Sequence, residues 1–219
     1  MFFAFDGLDG VGKTTQLELF CQWLSDHGHE VEHCIDPGST PLGEKVRSVL
    51  LERHGTTIDP MAEMLLFMAA RAQLVAEVIL PALEAGRTVV SDRYLLANVV
   101  YQGYARGLDV KTIWEIGRVA TGGVAPDLTV VLDMPIDATA DRLARPLDRM
   151  ETGQDDAFRQ RLRSGFLAEA IARPDTIAII DAARPIDVVQ AEIRRRAEPV
   201  LARAAAGRLK AEQLEPRIE

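Results

Sequence analysis

The 219-residue sequence predicts a three-layer α/β fold, a parallel five-stranded sheet with helices on both faces, and three observations carry that expectation. Short apolar runs alternate with longer stretches of helical periodicity, the signature of a parallel sheet built from β-α units. Several of those runs end in an aspartate, at the strand edge where open α/β sheets place their ligands. The first run passes at once into a glycine-rich turn.

Phe2–Phe5 reads as a buried first strand. A helix follows from about Lys13 to Asp26, with Leu17, Phe20, Cys21 and Leu24 on one face and Gly28 beyond its end. Glu30–Ile35 reads as the second strand, closed by Pro37-Gly38. Helical patterns run from Pro41 to Arg53 and from Pro60 to Ala85, the latter too long to stay straight across Pro81. Thr88–Ser91, Leu128–Leu132 and Thr176–Ile180 are strands leading into Asp92, Asp133 and Asp181. The last helix starts near Pro185. Residues 1–198 are expected to form the domain, and residues 199–219 a helical extension ending in a disordered tail.

The formal charge of −8 argues against a general nucleic-acid binder, which needs a basic face, but leaves room for a small phosphorylated substrate. Cys21 and Cys34 lack the spacing of a metal site and read as reduced core thiols. The N-terminal apolar run stops at Asp6, unlike a signal peptide, and no apolar run is expected to reach the roughly 18 residues of a membrane span. A soluble, cytoplasmic protein with no membrane partner is expected.

Gly7-Leu8-Asp9-Gly10-Val11-Gly12-Lys13-Thr14 fits G-x-x-x-x-G-K-[ST] between a strand and a helix, the context this phosphate-binding loop requires. Its glycines let successive N–H groups turn inward onto phosphate oxygens, and the helix adds its positive end. ATP with Mg²⁺ is the expected ligand pair. Lys13 would reach the β- and γ-phosphates, while Thr14 and Asp92 would serve the metal. A GTP-dependent switch is not expected: Asn98 is the only asparagine, so no N-K-x-D guanine motif exists.

Downstream, Asp92-Arg93-Tyr94 is followed by Asn98, Tyr101, Gln102 and Gly103. On the preceding helix Phe67 and Arg71 lie four apart and share a face, a ring to stack on a base beside a guanidinium for its polar edge. With Asp36-Pro37-Gly38-Ser39-Thr40-Pro41-Leu42-Gly43-Glu44, Pro126-Asp127-Leu128-Thr129 and Asp148-Arg149-Met150-Glu151, these stretches resemble thymidylate kinase over most of residues 1 to 195. The resemblance implies a P-loop kinase fold with a short lid at about 143–156, transfer of the γ-phosphoryl of ATP to dTMP, and a homodimer. Phe67 would stack on thymine. Arg71 and Gln102, joined by Asn98, would hydrogen-bond the base or its neighbours, and Tyr101 would crowd the sugar's 2′ position. Asp9 would hold the 3′-hydroxyl or help to position the acceptor phosphate, Arg93 would grip that phosphate, and Arg145 and Arg149 are the lid's basic candidates.

The chain departs from the family pattern at Asp6, where glutamate is common, and at Ile35, where arginine is usual. It departs again at Leu74, at Ala97 in place of serine, and in the short Leu143–Leu147 lid segment. These changes touch acceptor preference and the identity of the lid arginine. Two alternatives therefore stay open: a kinase for another nucleoside monophosphate or a deoxynucleoside, and a nucleotide-binding module with weak catalysis.

Overall fold

A computed structural model describes residues 1–52, 57–140 and 155–214. Its strands are β1 (Phe2–Gly7), β2 (Val31–Ile35), β3 (Thr88–Asp92), β4 (Leu128–Asp133) and β5 (Ile177–Asp181). All pair in parallel, in the order β2-β3-β1-β4-β5. The five expected strands are present, each within two residues of its expected bounds.

The helices are α1 (Lys13–Asp26), α2 (Pro41–Leu51), α3 (Pro60–Leu74), α4 (Leu80–Glu84), α5 (Leu95–Asn98), α6 (Val110–Ala120), α7 (Ile136–Ala140), α8 (Asp156–Ala172) and α9 (Ile186–Leu214). A π-helical turn over Val75–Ile79 joins α3 to α4, and another over Val99–Ala105 continues α5. The expected break near Pro81 takes this form. The proline has no N–H for the preceding turn, and the widened turn just before it absorbs the misfit. Helix α9 runs through Pro199 to Leu214; residues 215–219, within the expected tail, lie outside the described residues.

Side chains of β1 alternate between two cores. Phe3 and Phe5 join Leu17, Phe20 and Leu24 of α1 and Val189 and Ile193 of α9. Phe2 and Ala4 turn to the other face, with Met64 and Met68 of α3 and Ile113 of α6. Helices thus cover both faces, and each fully buried Phe contributes roughly 1.5–3 kcal/mol. Cys34 is buried and Cys21 half-buried, both as free thiols.

One helix bears on the expectation that no run spans a membrane. The continuous stretch Pro60–Glu84 is long and apolar enough to cross a membrane by length and composition, with a mean hydropathy of 1.6 in its best window. It carries the buried charges Glu63 and Arg71 and packs Met64, Met68, Leu74 and Ile79 into the core, as a central helix of a folded domain does.

Candidate active site

Strand register brings the two halves of the site together. Phe5 pairs with Asp92, and Arg93 N–H donates to the Phe5 carbonyl at 2.9 Å, so the turn after β1 and the residue after β3 stand side by side. A cleft of about 1110 Å³ opens there, at the C-terminal edge of the sheet. It runs from Phe67, Arg71 and Asn98 past Arg93 and the Gly10–Gln16 turn to the Ala182–Ile186 segment after β5.

The donor end is made of backbone. Gly7 has φ +131°, and a Cβ there would stand 2.4 Å from the Leu132 carbonyl oxygen, so no side chain fits. Gly12 has φ +91° and opens α1. No side chain caps α1 and no acidic residue lies in its first turn. By contrast Thr40, Asp59, Asp109 and Asp155 cap α2, α3, α6 and α8 with their side chains. The first-turn amides of α1, with the positive end of its dipole, are therefore left for an anion.

Lys13 lies across this turn. Its Nζ donates to the carbonyls of Leu8 at 2.8 Å and Gly7 at 3.2 Å and stands 3.3 Å from Asp9 Oδ1. Burial lowers its pKa, the Arg93 charge adds to that, and the Asp9 carboxylate pulls the other way. A polyphosphate beside it would favour the charged form.

Arg93 is the hinge between the halves. Its guanidinium donates to Asp9 Oδ1 at 2.7 Å and to the Gly7 carbonyl at 3.2 Å, lies 3.4 Å from Asp6 Oδ1, and sits over the Tyr101 ring at 5.3 Å. Its backbone is left-handed, φ +66°, a conformation costly for a side chain with a Cβ. Beneath it Asp6 is fully buried with Oδ2 unpartnered. Burial raises its pKa to about 7 against the pull of Arg93 and Lys13.

The acceptor end is made of side chains. Arg71, 1% exposed, donates from Nε to Asp36 Oδ2 at 2.5 Å and from Nη1 to Asn98 Oδ1 at 2.8 Å. Burial raises the Asp36 carboxyl, and Arg71 opposes that shift. Half-buried Phe67 lines the same end, as do Ala97, Ile35 and Tyr101, whose hydroxyl is 3.5 Å from Asp9 Oδ2. Leu74 instead lies in the core, away from the cleft. Gln102 borders the cleft, but its amide is engaged by Asn98 and Glu63.

Among the described residues, no three His, Cys, Asp or Glu side chains converge on a metal position. Thr14 and Asp92 do line the cleft, and Asp92 Oδ1 is buried without a protein partner. A hydroxyl, one carboxylate and phosphate oxygens suit Mg²⁺, which favours few protein ligands. Arg145 and Arg149, with Asp148 and Glu151, lie outside the described residues. Sequence reasoning missed Asp36, Glu63 and Arg47 as parts of the site. Arg47 of α2 reaches the cleft and donates to the Pro37 carbonyl at 2.7 Å; Asp36 stood in a quoted stretch without a role, and neither Glu63 nor Arg47 carries a local motif that announces it.

Comparisons with known proteins agree with this geometry. The family model described as thymidylate kinase matches residues 5–193. A thymidylate kinase of Pelotomaculum thermopropionicum is 42% identical over 203 residues, covering 91% of this chain and 94% of the relative. One from Clavibacter sepedonicus is 44% identical over 208 residues, covering 94% and 98%. A crystal structure of thymidylate kinase from Ehrlichia chaffeensis superposes with a TM-score of 0.73 at 30% identity, over 90% of this chain and 98% of the other.

Proposed function

The chain belongs to the thymidylate kinase family, and from that premise we propose that it transfers the γ-phosphoryl of ATP to dTMP, yielding dTDP and ADP. The observation that carries this reading is one cleft in which Arg93 reaches both Asp9 and the Gly7 carbonyl of the phosphate turn. Donor and acceptor phosphates held on either side of that guanidinium would lie next to each other.

The triphosphate sits on the Gly7–Thr14 amides with Lys13 against its β- and γ-oxygens, and the adenine extends toward the Ala182–Ile186 segment. Thymine stacks on Phe67 above Arg71 and Asn98, Tyr101 closes against the 2′ carbon, and Arg93 with Arg47 holds the acceptor phosphate. An oxygen of that phosphate attacks the γ-phosphorus while the bond to the bridging oxygen of ADP breaks. The nucleophile is already an anion, so no side chain need remove a proton. Alignment and charge neutralisation by Lys13 and Arg93 supply the acceleration. Mg²⁺, held by Thr14 and Asp92 together with phosphate oxygens, would offset charge on the β- and γ-phosphates. Arg145 and Arg149 are retained as candidates to cover the moving phosphoryl group.

Exposed Leu42 and Val49 on α2 and Met61 and Leu65 on α3 support a homodimer, which sedimentation velocity tests. For the activity, ADP release is followed with dTMP, dUMP, dCMP and thymidine as acceptors. dTMP is expected to be the preferred acceptor, and Lys13→Met or Arg93→Met to lower kcat about 10²–10³-fold. A preference for thymidine or dCMP would overturn the assignment.

A further inference from the structure

Two buried glutamines tie the helix after the phosphate turn to the segment after β5. Gln16, 4% exposed, stands in the first turn of α1 and donates from Nε2 to the Ile186 carbonyl at 2.9 Å. Gln190 of α9, 3% exposed, backs it. Its amide has one orientation in which both ends are satisfied: Nε2 donates to Gln16 Oε1 at 2.7 Å, and Oε1 accepts from the Phe20 N–H at 3.1 Å. The core around the pair is apolar and includes Leu17, Phe20, Val189 and Ile193. A buried amide costs free energy unless its bonds are made, so packing alone would favour a hydrocarbon at either position.

What the pair holds is a wall of the cleft. The chain is exposed from Ala183 to Asp187. Its strand side is fixed by the Ala182 N–H on the Asp133 carbonyl at 2.8 Å and the Ala183 N–H on Asp181 Oδ1 at 3.0 Å. Its helix side is fixed by Gln16. Ile186 is 59% exposed and lines the cleft, a large apolar side chain that a nucleobase would cover. Gln16 shares α1 with Lys13 and Thr14, so its bond runs from the helix of the phosphate turn to this shelf.

We propose that Gln16 is a positioning residue for the donor nucleotide: it sets the separation between the turn that holds the phosphates and the Ile186 shelf that holds the base, and Gln190 keeps it aimed. This rests on the proposed ATP donor. Without the bond, the first turn of α9 is free to move off the phosphate turn. A nucleotide bridges both ends and feels that separation. A chain of phosphates without a base occupies one end and does not. Gln16 itself borders the cleft whereas Gln190 does not, so Gln190 separates positioning from direct contact.

The test measures KM for ATP and for dTMP in the wild type, Gln16→Met and Gln190→Leu, with inorganic tripolyphosphate as an inhibitor competing with ATP. Methionine keeps the length of glutamine but cannot donate a hydrogen bond. Gln16→Met is expected to raise the KM for ATP about fivefold, the weight of one hydrogen bond, with kcat and the KM for dTMP within about twofold. The Ki of tripolyphosphate should stay within about twofold of the wild type. Gln190→Leu should raise the KM for ATP about threefold in the same pattern, because it leaves Gln16 Oε1 without its donor. It carries the test alone if Gln16→Met does not fold. Three results overturn the inference while sparing the dTMP assignment: an unchanged KM for ATP, a tripolyphosphate Ki that rises in step with it, or an effect of Gln16→Met that Gln190→Leu does not share. A wild type that does not use ATP overturns both.

Discussion

The two ends of the cleft are built from different materials. The proposed donor end is a single turn of chain, Gly7–Thr14, whose main-chain amides are joined by the side chains of Lys13 and Thr14 from the same turn. The acceptor end is a set of side chains gathered from β2, α3, the residue after β3, and the helix and π-helical turn beyond it. A site made of backbone is specified by what side chains must be missing: no Cβ at Gly7, no cap on α1. A site made of side chains is specified by mutual satisfaction, each polar group depending on another from a distant part of the chain. The first is robust to most changes except added atoms; the second fails when one member is removed.

That contrast can be broken at three points, in order of expected size. Arg71→Met should have the largest effect, destabilising the fold by about 3–5 kcal/mol, because it leaves Asp36 and Asn98 Oδ1 buried without their donor. A urea melt measures it, and a loss under about 1 kcal/mol would show that water or rearrangement replaces the guanidinium. Gly7→Ala adds one carbon against the Leu132 carbonyl and should cost about 2–4 kcal/mol as the turn is forced off β4. If the variant keeps wild-type stability and ATP affinity, the donor end is not set by the absence of side chains.

The smallest effect sharpens the comparison where the two ends meet. Asp6 titrates near 7 in the fold because burial outweighs Arg93 and Lys13, against an ordinary 3.8. Between those values the folded form holds a proton that the unfolded chain has lost, so this group makes stability fall as pH rises from about 4 to about 7. Asp6→Asn should flatten that part of the profile, read from urea melts across the same window. An unchanged slope would assign the dependence to other carboxyls.

How much was legible in the sequence follows the same division. The five strands, α1 and the phosphate turn were readable because their signals are local: short apolar runs, a 3.6-residue period, glycines at fixed offsets. Phe67, Arg71 and Arg93 came from short patterns and a family resemblance, and they line one cleft. Asp36 was quoted in a motif without a role, and Glu63 and Arg47 were not singled out, since a buried carboxylate on an apolar helix looks like any other Glu until its partner is known. Gln102, expected to hydrogen-bond the base or its neighbours, borders the cleft with its amide between Asn98 and Glu63. The helical stretch Pro60–Glu84 shows the same limit of local signals. Hydropathy along Pro60–Glu84 does not distinguish a helix surrounded by lipid from one surrounded by protein.

The left-handed backbone at Arg93 has one more consequence. Glycine at that position would relieve the backbone by about 1 kcal/mol, yet it would strip buried Asp6 and its neighbour Asp9 of the guanidinium that faces them and remove the side chain proposed to join donor to acceptor. The strained backbone is therefore held in place by the contacts of the side chain it carries.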